Sequence, residues 1–183
     1  MKYLHEIRFI LGKGRSRFFN ILPELYQKDT KLLDFYQHLN SFHSDEEAAA
    51  YLYDTSPADG RYKKLKSRLK SRMIDALFFI DLEKKRATHL GSIYNDCWKE
   101  WAAIKILIGR GGRTSSIKLC RSLFRKAKKH QFLDLLVFIC KHLSLHYGLW
   151  ENNAREYRQW KKKFDLYSEA YAAEEKVEHT YLE

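Results

Sequence analysis

The chain has 183 residues, of which 45% are hydrophobic and 15% aromatic, a composition that predicts a folded core and excludes an intrinsically disordered protein. Its formal net charge of +11 favours an anionic macromolecular partner. The longest uncharged apolar run, 135–140, is too short to span a bilayer, so we expect no membrane anchor.

The spacing of apolar residues is helical almost throughout, at steps of three or four residues, and no strand-like alternation persists. In the first forty residues this pattern is carried by Leu4, Ile7, Leu11, Phe18, Leu22, Leu25, Leu32, Phe35 or Tyr36, and Leu39. The sequence therefore predicts an all-α fold, in which antiparallel helix pairs stack as a repeat-like array or as an irregular bundle.

Capping signals indicate where the next two helices begin. Ser44, followed by the three acidic residues Asp45–Glu47, predicts a short helix with Ser44 as its N-cap. Pro57 suits the first turn of a longer helix, and Ser56 is the residue that we expect to cap it. This second helix, over 57–80, has apolar residues on one face and basic residues on the other.

Four further helices follow, and the turns between them are short. The apolar periodicity predicts these helices over 92–108, 115–129, 132–147 and 153–175. Short turns make successive helices antiparallel neighbours. We expect one domain over 1–183 with two subregions, 1–90 and 91–183, and this organisation also suits a piece of a longer helical array.

One segment has the residue spacing of a known repeat. Cys120, Phe124 and Ala127 follow a small–aromatic–small pattern, with Ile104 and Leu107 one helix earlier. Over roughly 92–130 the sequence resembles the second helix of a tetratricopeptide repeat and its surroundings, where small side chains let neighbouring helices approach. The resemblance implies a divergent helical-repeat protein, and the alternative is an ordinary bundle core.

The positive charge is concentrated in two stretches. Residues 61–72 contain seven Lys or Arg and no acid, and residues 110–129 contain eight Lys or Arg and no acid. These fifteen positive charges exceed the formal net charge of +11, so the surplus lies in these stretches and not over the whole surface. Interleaved acids, which usually pair with bases on a solvated helix, are absent from both stretches.

Helical projection sorts the bases into stripes, which are the candidate binding residues. They are Arg61, Lys64, Arg68 and Arg72 in the first stretch, and Lys118, Arg121 and Arg125 in the second. Ser67 and Ser71 lie between two basic rows and would allow a phosphodiester backbone to approach closely. The alternative interpretation of each stripe is a solvated helix face.

These features lead to one main hypothesis and one competing hypothesis. The main hypothesis is a non-enzymatic helical-repeat module that uses basic helix faces to bind an acidic macromolecular partner, most simply a protein. The competing hypothesis is direct binding of RNA or DNA through the same helices, including a helix-turn-helix-like arrangement over 45–72. The sequence leaves the oligomeric state open.

No catalytic, cofactor or metal signature is found. The glycine-rich turn 109–112 lacks the spacing of a phosphate-binding loop, and His142 and His146 lack the glutamate of a zinc hydrolase helix. We expect packing or surface histidines, no cofactor and no enzymatic activity. The three cysteines are Cys97, Cys120 and Cys140, and their apolar surroundings predict buried thiols in a reducing compartment, the cytoplasm.

Four tryptophans offer two interpretations. Trp98 and Trp101 are one helical turn apart, and Trp150 and Trp160 flank the start of the last helix. Tryptophans in helical arrays usually fill the gaps between helices, so we expect core packing. Stacking on unpaired nucleic-acid bases is the alternative.

Overall fold

A computed structural model describes residues 1–13, 30–78 and 89–181, and over these ranges the protein is all-α, as predicted. The helices are α1 (Lys2–Lys13), α2 (Thr30–His38), α3 (Asp45–Tyr53), α4 (Gly60–Leu77), α5 (His89–Gly109), α6 (Arg113–His130), α7 (Leu133–Leu145) and α8 (Ala154–Thr180). A short 3-10 helix covers Leu39–Ser41, and a π-helical turn covers His146–Trp150. The predicted apolar positions Phe18, Leu22 and Leu25 lie outside the described residues.

The chain divides into two compact units, Met1–Arg86 and Ala87–Glu183, which we call unit 1 and unit 2. Each unit has its own hydrophobic core. The expectation of one domain over the whole chain stays a prediction, and so does the tetratricopeptide resemblance, because antiparallel helix pairs also occur in ordinary bundles.

In unit 1, α4 packs against α1, α2 and α3. Its buried stripe consists of Tyr62, Leu65, Leu69, Met73 and Ala76, which recur at steps of three or four residues. Burial of a leucine-sized side chain contributes about 1.5–3 kcal/mol to stability, so this stripe fixes the orientation of α4. The opposite side of α4 is exposed.

The N-cap predicted for α3 is confirmed. The Ser44 hydroxyl accepts a hydrogen bond from the Glu47 N–H at 3.2 Å, and the Glu47 carboxylate accepts one from the His43 N–H at 2.7 Å. The carboxylate thus reaches back beyond the N-cap and satisfies a further backbone N–H ahead of the helix, in the manner of a capping box.

The start predicted for α4 is wrong by three residues. Asp59, and not Ser56, caps the helix, because its carboxylate accepts the Arg61 backbone N–H at 2.7 Å. Pro57 therefore lies in the link before α4 and not in its first turn. The helix is described to Leu77, and the last residues of the predicted span, 79–80, lie outside the described residues.

A hydrogen-bonded carboxylate joins α3 to α4. The Tyr62 hydroxyl donates to Asp45 at 2.5 Å, and the Lys66 ammonium donates to the same oxygen at 2.6 Å. Burial raises the pKa of the Asp45 carboxyl, but the hydrogen bonds from Lys66 and Tyr62 outweigh it and leave that pKa below its usual value. Burial, together with the bond to Asp45, raises the pKa of Tyr62.

We predict that Tyr62→Phe lowers the free energy of unfolding by about 1.5–3 kcal/mol, because it removes a hydrogen bond to a charged group and leaves the ring in place. Urea unfolding followed by circular dichroism measures the change. Tyr51→Phe is the matched control: its exposed hydroxyl lies 3.4 Å from Asp34, and we expect a change within about 0.5 kcal/mol. Equal effects of the two substitutions would contradict the stabilising role of the Asp45 contact.

Unit 2 contains α5 to α8, and each helix packs on the next one along the chain. The fully buried side chains that fill its core include Cys97, Ile104, Cys120, Leu123, Ala127, Leu135, Ile139, Cys140 and Leu143. The helices predicted over 92–108 and 115–129 are confirmed, with each end within three residues of the predicted one.

The last two helices differ from prediction at one end each. The helix predicted over 132–147 ends at Leu145, and the chain continues as the π-helical turn. In this turn a β-carbon on Gly148 would lie 3.0 Å from the Tyr157 ring. The last helix continues to Thr180, five residues beyond its predicted end. Its N-cap is Asn153, whose side chain accepts the Glu156 N–H at 3.1 Å.

The three cysteines are free and buried, as predicted. Burial raises the pKa of Cys120 and of Cys140 to about 12, and it also raises the pKa of Cys97. A thiol with so high a pKa holds almost no thiolate at neutral pH and is a weak nucleophile. These thiols therefore contribute to packing.

We predict that Cys120 and Cys140 in the native protein react with iodoacetamide at pH 8 on the order of a thousandfold more slowly than in the unfolded chain, because the reactive thiolate fraction falls with the rise in pKa. Mass spectrometry of timed samples, with and without concentrated guanidinium chloride, measures both rates. Native rates close to the unfolded rates would show that the core of unit 2 opens readily.

Candidate anion-binding surfaces

The first candidate surface lies on the solvent side of α4. All four predicted binding residues in unit 1, Arg61, Lys64, Arg68 and Arg72, are exposed there. The surface, which we call the α4 face, consists of Arg61, Lys63, Lys64, Ser67, Arg68, Lys70, Ser71 and Arg72, all exposed. No acid occurs from 61 to 72, so the face has a positive potential along more than three helical turns.

Several bases on the α4 face have partners at its edges. The Arg61 guanidinium lies 2.9 Å from the Asp59 carboxylate, and Arg72 lies 3.6 Å from Asp75. Hydrogen bonds from the Arg61 side chain hold the pKa of the Asp59 carboxyl well below its usual range. Ion pairs this exposed contribute little to stability, so they leave these arginines able to exchange partners.

An exposed aromatic residue of α1, Tyr3, lies beside Lys70 of the α4 face. Tyr3 is 48% exposed and Ile10 is 46% exposed, and their spacing of seven residues places them on one side of α1. The Lys70 ammonium lies 5.0 Å from the centre of the Tyr3 ring. These two residues were not predicted from the sequence, although both lie off the stripe formed by Leu4, Ile7 and Leu11, a position that favours exposure.

The link between α3 and α4 bears on the helix-turn-helix hypothesis. It runs over 54–59, six residues, whereas that motif uses a turn of three or four residues. The hypothesis gains no support from this geometry.

In unit 2 the three predicted binding residues, Lys118, Arg121 and Arg125, are exposed on α6, but one of them has a structural role. The Arg121 guanidinium donates to the Tyr147 hydroxyl at 2.8 Å and to the Glu156 carboxylate at 2.7 Å. It thereby joins α6 to the π-helical turn and to α8. Because these contacts occupy Arg121, it is less available to a ligand than Lys118 and Arg125.

We predict that Arg121→Met lowers the free energy of unfolding by about 1–2 kcal/mol, because Glu156 and Tyr147 lose a shared charged partner. Arg125→Met is the matched control on the same helix, and we expect a change within about 0.5 kcal/mol. Chemical unfolding of both variants gives the comparison. If Arg121→Met were as stable as Arg125→Met, the inter-helix contact would have no measurable role.

The structure brings bases of α8 beside those of α6. Arg155 and Lys162 are exposed, and the Lys163 ammonium lies 3.9 Å from the centre of the Trp160 ring. We define the α6/α8 face by its exposed residues Lys118, Ser122, Arg125 and Lys129 of α6, and Arg155, Gln159 and Lys162 of α8. The bases of α8 were not predicted as binding residues, and the three consecutive lysines at 161–163 were the signal that the sequence offered for them.

His142 and His146, which have a spacing that can hold a metal, contact other side chains in the structure. The His146 ring lies 2.8 Å from the Glu151 carboxylate, and the His142 ring packs against Trp101. Burial, and then the charge of His146 and Lys105, lowers the pKa of His142. Within the described ranges, no group of three or more potential metal ligands lies together.

The tryptophans follow the core-packing prediction with one exception. Trp160 is buried, with its ring centre 5.1 Å from that of Phe124, and Trp98 and Trp101 are half-buried. Trp150 differs, because it is 60% exposed. The Arg113 guanidinium covers its ring at 4.1 Å.

Comparison of the chain with protein-family models, with curated protein sequences and with solved structures finds no match. In the part of the chain that the structure describes, every helix is too short or too polar to cross a membrane. The functional proposals below therefore depend on the geometry and charge of the two surfaces.

Proposed function

We propose that the protein is a non-enzymatic helical binding module that holds an acidic protein partner on the α4 face. The observation that carries this proposal is the row of exposed bases on α4 beside the exposed Tyr3 ring of α1. Charge alone would attract any polyanion. The exposed apolar side chains of α1 add the apolar contact area that a protein interface requires.

Protein interfaces need an apolar centre as well as complementary charge. Their fully buried centre is enriched in aromatic residues, while charged residues, lysine above all, lie at the rim. Tyr3 supplies an exposed aromatic side chain next to Lys70, and Ile10 supplies an exposed aliphatic side chain on the same side of α1. An acidic partner with an apolar patch can therefore bury Tyr3 and Ile10 and pair its carboxylates with the surrounding bases.

The α4 face is also held rigidly. The buried stripe fixes the rotation of α4, and the Asp45 contacts to Tyr62 and Lys66 fix its position relative to α3. A surface that is ordered before binding loses less conformational entropy when the partner binds. We place this activity in the cytoplasm, where buried free thiols such as Cys97 stay reduced.

We predict that reversing the four stripe residues, Arg61→Glu, Lys64→Glu, Arg68→Glu and Arg72→Glu, leaves the helical content unchanged and abolishes partner binding. The side chains are exposed and lie off the buried stripe, so the fold tolerates the change. Affinity capture from nuclease-treated lysate of the native host, followed by mass spectrometry, identifies the bound proteins. Binding of the purified candidate is then measured by calorimetry.

The control variant has an equal change of charge elsewhere: Lys118→Glu, Arg125→Glu, Arg155→Glu and Lys162→Glu on the α6/α8 face. We expect an acidic protein that binds the wild type and the control and does not bind the α4 variant. Tyr3→Ser should weaken the same complex about tenfold, since it removes an apolar contact of 1–2 kcal/mol. If the only bound proteins also bind the α4 variant, or disappear after nuclease treatment, the proposal is wrong.

A further inference from the structure

The α6/α8 face differs in composition from the α4 face. Its two exposed rows contain lysine, arginine, serine and glutamine, and the exposed leucines nearest to them in the chain are Leu119 of α6 and Leu166 of α8. Arginine, lysine, serine and glutamine are the side chains that bind phosphate and sugar in nucleic-acid complexes. We propose that this face binds the phosphate backbone of a nucleic acid, a function that goes beyond protein binding on the α4 face.

Contacts between α6 and α8 show that the two rows run side by side. Arg121 contacts Glu156, and Phe124, three residues further along α6, contacts Trp160, four residues further along α8. The two helices therefore run in the same direction where these side chains meet. Lys118 and Arg155 are then near one end of the face, and Arg125 and Lys162 are further along it.

Two acids near this face, Glu156 and Asp165, are already paired. The Glu156 carboxylate accepts hydrogen bonds from Arg121 and, at 3.0 Å, from the Trp160 indole N–H. Asp165 pairs with Lys161, which is not part of the face. Lys118, Arg125, Arg155 and Lys162 have no such acidic partner among the described residues, so their charges remain available for phosphates.

The composition of the face favours a nucleic acid over an acidic protein. Lysine is depleted from the buried centre of protein interfaces, which needs aromatic and aliphatic residues. Interfaces with nucleic acid are more polar and much more positively charged. The two rows supply five bases without an acidic partner among the described residues, with Ser122 and Gln159 between them, and the rows themselves contain no aromatic residue.

The face is built on a rigid support. The Phe124 and Trp160 rings pack edge to face at 5.1 Å under the seam between the helices, and Lys163 lies over both rings. The Lys163 ammonium therefore holds a positive charge at the seam. The spacing between the two rows is therefore fixed before a ligand arrives.

The test is fluorescence anisotropy of the full chain with three labelled probes: a single-stranded RNA, a single-stranded DNA and a duplex DNA, each 30 nucleotides or base pairs of mixed sequence. The face variant carries Lys118→Gln, Arg125→Gln, Arg155→Gln and Lys162→Gln. The control variant carries Arg61→Gln, Lys64→Gln, Arg68→Gln and Arg72→Gln, which removes the same charge from the α4 face. Circular dichroism confirms that both variants are folded.

We expect wild-type binding to at least one probe that weakens about a hundredfold between 50 and 200 mM salt, as four phosphate contacts predict. The face variant should bind at least tenfold more weakly and with a smaller salt dependence, and the control variant within about threefold of wild type. Absence of binding at low salt, or equal losses in the two variants, would overturn the proposal. Failure of the α4 face to bind protein would not affect this result.

Discussion

The orientation of α4 depends on burial of a single apolar stripe, and the charge distribution of unit 1 follows from it. Leu65, Leu69 and Met73 turn one side of the helix toward three other helices. Residues at the remaining angles must then face solvent, and in this sequence most of them are lysine or arginine. Core packing, and not attraction to a ligand, therefore places the bases in rows.

Most features that depend only on residues close together in the chain could be predicted from the sequence. Apolar periodicity predicted the helices, and Ser44 predicted the start of α3, because an N-cap needs only residues three positions apart. The prediction for the start of α4 was wrong, although the same local rules apply there. Ser56 and Asp59 can each act as an N-cap, and Pro57 can occupy a first turn. The Asp59 carboxylate binds both the Arg61 N–H and its guanidinium, and this double contact decides among them.

Contacts between distant residues could not be predicted in this way. The sequence places Arg121 in a stripe of exposed bases. In the structure it pairs with Glu156, which lies 35 residues later on another helix. The sequence predicts that all four tryptophans, including Trp150, pack in the core. The π-helical turn instead leaves Trp150 exposed. In both cases the determining partner is fixed by tertiary packing, which single-sequence periodicity does not contain.

Counting bases along the chain therefore misjudges the available charge in both directions. The acid-free stretch 110–129 contains Arg121, whose donors are used within the fold, so the count is too high there. The count is too low for unit 2 as a whole, because Arg155 and Lys162 come from another part of the chain. What decides the ligand is the set of neighbours around the remaining bases. The exposed Tyr3 ring borders Lys70 and favours a protein, whereas serine and glutamine separate the bases of α6 and α8 and favour phosphate.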